Sequence, residues 1–333
     1  MGENFKALQV IENESGEFNR RVIQRDISDL PDNDVLIRVK YSGLNYKDAL
    51  SASGHKGVTR NYPHTPGIDA AGIIESSTDS RFQKGDQVLV SSYDLGMNTD
   101  GGFGTYISVP GDWVIPLPDK MTLRESMIFG TAGLTAAQGL HSMIHNGQKP
   151  DMGKLLVTGA RGAVGGFAIM IAAKLGFDVV AGVSQMHDDT EKLLNLGACE
   201  VVDSSLTNDK SSRPLLRPAW AGAFDVIGGN TLATILKSVS YGGNVVTVGN
   251  IESHELKTTV FPFILNGINL LGVGTQDTPM SLRTQLWNLL ADDWKPDNMN
   301  DILTEIGFDE LDQYLSIMIT KKSGGRILLN LDS

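Results

Sequence analysis

The sequence predicts an α/β protein in two parts, a β-rich first part and a doubly wound parallel sheet after it. Roughly the first 120 residues hold short apolar or alternating runs separated by Gly, Pro and Asp, whereas β-branched runs alternate with helix-length segments from about residue 126. The 333 residues exceed one typical domain, and 41% of them are apolar. We therefore place one domain at residues 1–125, completed by 278–333, and a second at 126–277.

The first part is predicted to consist mainly of strands. The runs that support this prediction are residues 35–39, 71–75, 87–91 and 104–109. The tail offers helices at 280–292 and 310–319 and a strand at 326–331. Because this tail has too few apolar residues for a core of its own, we expect it to pack against the first part.

The second part has the strand–helix alternation of a doubly wound sheet. A helix at 126–143 leads into it. Strands are predicted at 154–158, 178–183, 200–202, 224–227, 244–248 and 268–273, and helices at 163–175, 188–196 and 231–240. Six short β-branched strands linked by such segments are typical of a parallel sheet with helices on both faces.

Composition excludes several classes of function. A net charge of −11 disfavours nucleic acid as a partner, because phosphate contacts dominate that binding. The apolar stretch 163–173 is too short to cross a membrane, and residues 5–17 lack the apolar core of a signal peptide. The single cysteine, Cys199, excludes an intrachain disulfide and a cysteine-rich zinc site, and we expect it to be an inert buried thiol. A cytoplasmic protein is predicted.

The clearest local motif is a glycine turn between a strand and a helix. After the apolar run 155–158, glycines stand at Gly159, Gly162 and Gly165, and an apolar helix follows. Glycines keep such a turn tight, let backbone amides approach a pyrophosphate, and let helix and strand pack closely. The spacing G-x-x-G-x-x-G in this position predicts a dinucleotide site, with a merely structural turn as the alternative.

The end of the second strand bears on the choice of dinucleotide. An acidic residue there would bind the ribose 2′-hydroxyl of NADH, whereas Ser184 is neutral and accommodates the 2′-phosphate of NADPH. The serine also suits the start of the following helix as a cap. Arg161, inside the glycine turn, is the obvious cation. NADPH is favoured, and NADH stays open.

The sequence lacks the signature motifs of two classes of dehydrogenase. Short-chain enzymes need Tyr-x-x-x-Lys, and none of the seven tyrosines has a lysine four positions later. Zinc-dependent enzymes carry G-H-E-x-x-G, whereas this chain has Ile68 and Asp69 in place of the histidine and glutamate. We predict no metal and expect Asp69 to make a structural polar contact. His141 and His145 lie one helical turn apart without a third ligand, so an ordinary helix accounts for them.

Motifs along nearly the whole chain carry a specific resemblance. They are residues 42–50, 60–63, 66–72, 111–113, 130–136, 241–243 and 258–265, and the pair Gly325 and Arg326. The chain resembles the acryloyl-CoA reductase branch of the zinc-free medium-chain dehydrogenases/reductases, many of which are labelled quinone oxidoreductases. The resemblance implies a GroES-like domain beside a Rossmann domain, NADPH as hydride donor, no metal, and a homodimer.

The resemblance also implies cofactor contacts at particular positions. They are Tyr46, the turn residues Arg161, Gly162, Ala163 and Val164, and Ser184, Asn250, Ile264 and Thr275. Two arginines of the family, one of them expected at the 2′-phosphate, align with Met186 and Glu200, which departs from the NADPH pattern.

The predicted reaction is reduction of an activated carbon–carbon double bond. Hydride goes to the β-carbon and a proton to the α-carbon, while hydrogen-bond donors stabilise the enolate oxygen. We expect Asn45, Tyr46 and Thr131 to line the cleft. Tyr46 either orients the nicotinamide and helps to protonate the product or merely packs against the cofactor.

The substrate is left open by the sequence. Lys56 and Arg60 either meet the phosphates of coenzyme A or are solvated loop charges. A reductase of quinones or of free α,β-unsaturated carbonyls is the alternative function, and a non-catalytic nucleotide-binding protein is a further one.

Overall fold

The computed structural model describes residues 4–186, 190–320 and 324–332. Their strands, in chain order, are β1 (Asn4–Glu12), β2 (Phe18–Asp26), β3 (Val35–Gly43), β4 (Asp69–Ser77), β5 (Gln87–Ser91), β6 (Tyr106–Val109), β7 (Ile115–Pro116), β8 (Leu155–Thr158), β9 (Val179–Val183), β10 (Ala198–Asp203), β11 (Gly222–Asp225), β12 (Asn244–Thr247), β13 (Asn269–Gly272), β14 (Leu303–Ile306) and β15 (Arg326–Asn330). The helices are α1 (Tyr46–Ser51), α2 (Leu123–His145), α3 (Ala163–Lys174), α4 (Thr190–Asn195), α5 (Gly229–Ser238), α6 (Phe261–Asn266), α7 (Met280–Ala291) and α8 (Phe308–Ile319).

The chain divides into two compact units. Unit 1 comprises Met1–Thr131, Gln276–Ala291 and Leu303–Ser333, and unit 2 comprises Ala132–Thr275 and Asp292–Ile302. The first boundary lies inside α2, after a kink at Gly130, rather than at the predicted residue 125. A helix that runs through a boundary leaves no change in composition to mark it.

One segment of the tail belongs to the other unit. Residues Asp292–Ile302 were expected with the first domain, but they lie in unit 2. There the Trp294 ring is 6.4 Å from that of His141, and Ile302 packs beside Gly166 of α3. Apolar burial against unit 2 therefore decides where this segment lies.

Unit 1 is built on a seven-stranded sheet of order β14-β15-β3-β4-β5-β7, with β6 paired to β3, and a separate β1–β2 hairpin. Val35, Ile37 and Val39 alternate inward from β3, as the period of two in a strand requires. Phe308 and Leu311 of α8 are buried in the same hydrophobic cluster as these three residues of β3. The tail thus completes this core.

Unit 2 is a six-stranded parallel sheet of order β10-β9-β8-β11-β12-β13. The predicted fold class, a β-rich GroES-like part and a Rossmann sheet, is confirmed. Each of the six predicted strands is present, with ends that differ by at most two residues. For the helix predicted at 188–196, residues 188 and 189 lie outside the described residues, and α4 begins at Thr190.

The prediction missed several elements. Strand β2 carries three arginines among mostly polar residues, so its sequence pattern is typical of a loop. Helices α1 and α6 have six residues each, too few for a helical period to show. The expectation of a buried Cys199 was wrong, because this thiol is exposed on the edge strand β10. Among the described helices, none combines the length and apolarity that a membrane span needs.

Candidate cofactor and reaction site

The glycine turn follows β8 and opens α3. Gly159 has a φ of +62°, a left-handed conformation that side chains rarely adopt, and Gly162 is the N-cap of α3 with an ordinary φ of −79°. A Cβ at Gly165 would lie 2.4 Å from the carbonyl oxygen of Gly159, whereas one at Gly162 would lie 3.4 Å from it. The first and third glycines are therefore required by the fold itself, and the second is not.

This turn is suited to an anion. In a helix the first-turn amides, here those of Ala163 and Val164, have no acceptor within the helix, and the helix dipole adds positive potential at this end. The glycines leave the backbone uncovered there. A pyrophosphate fits such a turn, because its oxygens accept from the exposed amides.

The turn lies where the order of the sheet reverses. Strand β8 pairs with β9 on one side and with β11 on the other, which is the switch point at which doubly wound sheets bind ligands. The Thr158 hydroxyl donates to Asp225 Oδ1 over 2.7 Å, and Asp225 Oδ2 accepts from the Gly228 amide over 2.8 Å. Burial raises the pKa of Asp225. This carboxyl group, which sequence reasoning missed, ties the ends of β8 and β11 together.

The residues expected to contact the adenine ribose lie at the end of β9. Ser184 is exposed, and its carbonyl oxygen accepts from the Ser204 hydroxyl over 3.0 Å. The Arg161 guanidinium donates from Nη2 to the carbonyl oxygen of Gln185 over 2.9 Å. Met186, where the resemblance places an arginine, is 48% exposed. The structure therefore brings Arg161 from the turn to the residue that follows Ser184.

Glu200 aligns with the second of the two family arginines. It lies in the first half of β10, and its carboxylate accepts from Lys154 Nζ over 2.6 Å. Lys154 directly precedes β8, so this pair lies toward the amino ends of the parallel strands. Ligands bind at the carboxyl ends. Glu200 therefore has no bearing on the choice between NADPH and NADH.

Further expected contacts lie at the carboxyl ends of β12 and β13. A cavity of about 520 Å³ there is lined by residues 247–250 and 272–274, and Asn250 is among them. Thr275 follows this segment, with its hydroxyl 3.3 Å from that of Thr135. Ile264 lies on α6 with 66% of its surface exposed, and it is not a lining residue of this cavity.

In unit 1 the residue at the zinc-ligand position is fully hydrogen-bonded. Asp69 is buried and accepts from Arg326 Nη2 over 3.1 Å, Asn45 Nδ2 over 2.8 Å and the Thr131 hydroxyl over 2.7 Å. Arg326 also donates to the Leu44 carbonyl oxygen over 2.6 Å, and burial lowers the pKa of this guanidinium. The expected structural contact of Asp69 is thus a buried ion pair.

Asp48 holds the start of α1. Its oxygens accept from the amides of Asn45 over 2.7 Å and Ile68 over 2.8 Å. Burial and the neighbouring Asp69 carboxylate raise the pKa of Asp48 to about 7. Tyr46, the first residue of α1, is 43% exposed. The buried network therefore fixes the backbone that presents the Tyr46 side chain.

The two other expected side chains of this region are committed to the same network. Asn45 donates from Nδ2 to the Gly43 carbonyl oxygen over 2.9 Å, and its Oδ1 accepts from Arg326 over 3.1 Å. The Thr131 amide donates to Asp69 over 2.8 Å, and the Ser92 hydroxyl is 3.2 Å from the Thr131 hydroxyl. Both side chains therefore hold the site together, and Tyr46 is the side chain that the network leaves exposed.

The two basic residues expected to bind the phosphates of coenzyme A differ in their environment. Lys56 Nζ lies 2.6 Å from Glu12 Oε2 and is over the rings of Phe18 and Tyr62, at 5.2 and 4.9 Å. Arg60 is exposed, and its amide donates to Asn98 Oδ1 over 3.2 Å. Lys56 is thus already paired, whereas the Arg60 side chain faces solvent.

The His, Cys, Asp and Glu side chains of the described residues bear on metal binding. Over the described ranges, no three His, Cys, Asp or Glu side chains come together as a metal site. The rings of His141 and His145 stack 6.0 Å apart on α2. Since Asp69 already accepts from several donors, the position that zinc enzymes use offers no carboxylate available for a metal ion.

Two family models match the chain. One, described as the alcohol dehydrogenase GroES-like domain, matches residues 31–119, and the other, described as a zinc-binding dehydrogenase, matches residues 163–292. The chain is 41% identical over 332 residues to "Putative quinone oxidoreductase YhfP" of Bacillus subtilis, covering 99% of this chain and 100% of that protein. It is 36% identical to "Acrylyl-CoA reductase AcuI" of Ruegeria pomeroyi, covering 99% of this chain and 100% of that one.

Solved structures match over the same extent. YhfP of Bacillus subtilis with NAD bound superimposes with a TM-score of 0.96 at 41% identity, covering 99% and 100% of the two chains. The YhdH oxidoreductase of Salmonella enterica in complex with NADP gives a TM-score of 0.93 at 36% identity, covering 98% and 99%. Together with the glycine turn and the replaced zinc ligands, these matches show that the chain belongs to the zinc-free medium-chain dehydrogenases/reductases, in the branch of acrylyl-CoA reductases and quinone oxidoreductases.

Proposed function

We propose that this protein is an NADPH-dependent reductase of an activated carbon–carbon double bond, with acryloyl-CoA or another short enoyl-CoA as substrate. The observation that carries the proposal is the glycine turn at the end of β8, at the switch point of the parallel sheet. The bound relatives, one with NAD and one with NADP, support a nicotinamide cofactor.

The cofactor would lie across the carboxyl ends of the strands of unit 2. The amides of Ala163 and Val164 would hold the pyrophosphate, Ser184 the adenine ribose, and Asn250 and Thr275 the nicotinamide half. When bound, the reduced dinucleotide supplies the hydride that the β-carbon of the substrate receives. NADH remains a competing donor, because Ser184 repels neither cofactor.

The residues of unit 1 would act on the other half of the reaction. Hydride on the β-carbon leaves an enolate, and the α-carbon then needs a proton. The Tyr46 hydroxyl has no hydrogen-bond partner within the described chain, so we assign it the orientation of the nicotinamide and delivery of that proton. Asn45 and Asp48 would act as positioning residues, since their hydrogen bonds hold the first turn of α1.

A quinone or a free enone is the second candidate substrate. The ion pair between Lys56 and Glu12 favours it, because a coenzyme A phosphate would have to displace Glu12 before it could bind Lys56. Arg60 needs no such displacement. The name of the Bacillus relative points to the same class. A protein that binds nucleotide without turnover is the third possibility.

The experiment follows NADPH oxidation with acryloyl-CoA, crotonyl-CoA and a benzoquinone side by side, and repeats the series with NADH. The proposal expects the highest kcat/KM with acryloyl-CoA. A preference for benzoquinone would establish the second candidate. Quenching of cofactor fluorescence without turnover of any substrate would favour the third. Protein that binds neither reduced dinucleotide would refute all three.

A homodimer is also proposed, formed through the edge of the unit 2 sheet. Strand β13 is the last strand of its sheet, with one side unpaired by the described strands. Apolar side chains are exposed nearby in the sequence, Val260 by 64% and Leu265 by 55%. Exposed apolar surface beside an open strand edge is typical of association. Sedimentation velocity should give a dimer that Leu265→Asp dissociates, and a wild-type monomer would refute the proposal.

A further inference from the structure

We infer that Arg161 is the residue that selects NADPH over NADH, by binding the 2′-phosphate of the adenine ribose. This inference rests on the proposed function and adds the specificity-determining residue to it. Its basis is the position of the guanidinium. Arg161 starts in the glycine turn, yet its Nη2 lies 2.9 Å from the carbonyl oxygen of Gln185, directly after Ser184.

That position is the ribose side of the sheet. Strand β9 lies next to β8 on the side away from β11, and the residue at its end faces the ribose 2′ position in doubly wound folds. The described end of this strand, Ser184, Gln185 and Met186, carries no charge. The resemblance expects an arginine at position 186. Arg161 therefore brings a positive charge to the same strand end, although it comes from the glycine turn.

Arginine is chemically suited to this role. Its planar guanidinium has five N–H donors, so one arginine is able to hold a backbone carbonyl and a phosphate together. Arginine–phosphate hydrogen bonds are charge-assisted and are stronger than neutral ones. The bond to Gln185 also fixes the direction of a long side chain, which reduces the entropy that would be lost on binding.

The neighbouring strand end allows an anion to approach. Asp203, at the end of β10, pairs in register with Val183, but its Oδ1 accepts from the Ser205 amide over 2.7 Å. This bond directs the carboxylate to its own loop. The Ser204 hydroxyl donates to the Ser184 carbonyl oxygen over 3.0 Å. The groups described at this strand end are therefore the Arg161 guanidinium, the Ser204 hydroxyl and an Asp203 carboxylate that is hydrogen-bonded within its own loop.

The test measures binding of NADPH, NADH, adenosine 2′,5′-bisphosphate and ADP to the wild type and to Arg161→Met. The variant should weaken NADPH and adenosine 2′,5′-bisphosphate by about 10- to 100-fold, the range for one charge-assisted hydrogen-bonding partner, and leave NADH and ADP within about threefold. Arg161→Lys should retain part of the preference for NADPH over NADH, because lysine keeps the positive charge but lacks the paired N–H donors of a guanidinium.

Arg217→Met is the matched control. Arg217 is an exposed arginine of the same unit. The amides of the nearby Leu216 and Ala219 donate to the carbonyl oxygens of Lys237 and Ser238, at the C-terminal end of α5, so this segment packs on α5 and not on the turn. Arg217→Met removes the same charge as Arg161→Met and should leave the ratio of the NADPH and NADH affinities unchanged.

Two results would overturn the inference alone. Equal losses of NADPH and NADH in Arg161→Met would show that Arg161 only holds the Gln185 loop, and no loss of either would show that it contacts neither cofactor. Unchanged NADH affinity also reports that the variant is folded. Wild-type protein that binds neither dinucleotide would instead refute the proposed function, and this inference with it.

Discussion

Two glycines of the turn, Gly162 and Gly165, should respond differently to the same substitution. Gly165→Ser puts a Cβ 2.4 Å from the carbonyl oxygen of Gly159, about 1 Å closer than an ordinary contact. The oxygen belongs to the backbone and the position of the Cβ is fixed by the backbone, so α3 must shift away from the turn after β8. Gly162→Ser puts a Cβ 3.4 Å from the same oxygen, at an N-cap position with an extended backbone that serine favours. The pair therefore separates packing from ligand binding.

The magnitudes follow from these distances. Overpacking of this kind costs about 1–3 kcal/mol, which lowers the thermal midpoint by a few degrees in a protein of this size. Gly162→Ser should keep the wild-type midpoint, but its side chain stands where the pyrophosphate approaches the amides. NADPH at about 100 times its Kd stabilises wild-type protein by roughly 2.7 kcal/mol. Gly162→Ser should lose most of that gain.

Differential scanning fluorimetry with and without NADPH measures both effects. A destabilised Gly165→Ser and a stable Gly162→Ser that no longer responds to NADPH are the expected results. If Gly165→Ser melted with the wild type, the close approach of α3 to β8 would not limit the fold. If Gly162→Ser were stabilised by NADPH as strongly as the wild type, the pyrophosphate would not lie on this turn.

The remaining predictions concern unit 1. Arg326→Met should lower the free energy of unfolding, measured in urea, by about 3–5 kcal/mol, because it leaves the buried Asp69 without its countercharge. The control Glu200→Ala breaks an exposed ion pair and should cost under about 1 kcal/mol. A similar cost for the two variants would refute the role of burial. Burial lowers the pKa of His64, so unfolded chains take up a proton below a pH of about 6.5 that the folded protein does not take up. The raised pKa of Asp48 acts in the opposite direction, because there the folded protein takes up the proton over the same range. The thermal midpoint of His64→Gln should therefore fall less, or rise more, than that of the wild type between pH 7 and 5, and an equal pH dependence of the two would contradict the assignment. Tyr46→Phe should lower kcat with little change in NADPH affinity, whereas unchanged turnover would remove its proton role.

The Rossmann half of the fold was predictable because its signals are local. Each strand is a short β-branched run, and the turn carries its glycines within seven residues. A periodic pattern is less visible in β2, where arginines obscure the alternation, and in α1, which is shorter than two helical turns. Periodicity identifies an element only when one face is buried over several repeats.

The candidate site was predictable in its cofactor half and less so in unit 1. The turn and Ser184 lie within one strand–helix–strand unit, so their proximity follows from chain order. Arg326 and Asp69 are 257 residues apart in sequence, and no local pattern joins them. In the sequence, Arg326 stands only as part of a family motif, which assigns it no role. A buried arginine needs several acceptors, and only the folded structure shows which carbonyl and carboxylate oxygens supply them.

The pairing of Arg326 with Asp69 also explains how this site keeps a carboxylate without a metal. A buried carboxylate needs positive charge or several donors, and Asp69 receives a guanidinium, an amide group and a hydroxyl group. Asp48, beside it, has a pKa of about 7, so it is partly neutral at physiological pH and adds less than a full negative charge. A divalent cation would have to displace Arg326 from carbonyl oxygens that it also satisfies. The cluster therefore stabilises the start of α1, where Tyr46 is exposed and is available for the role proposed for it.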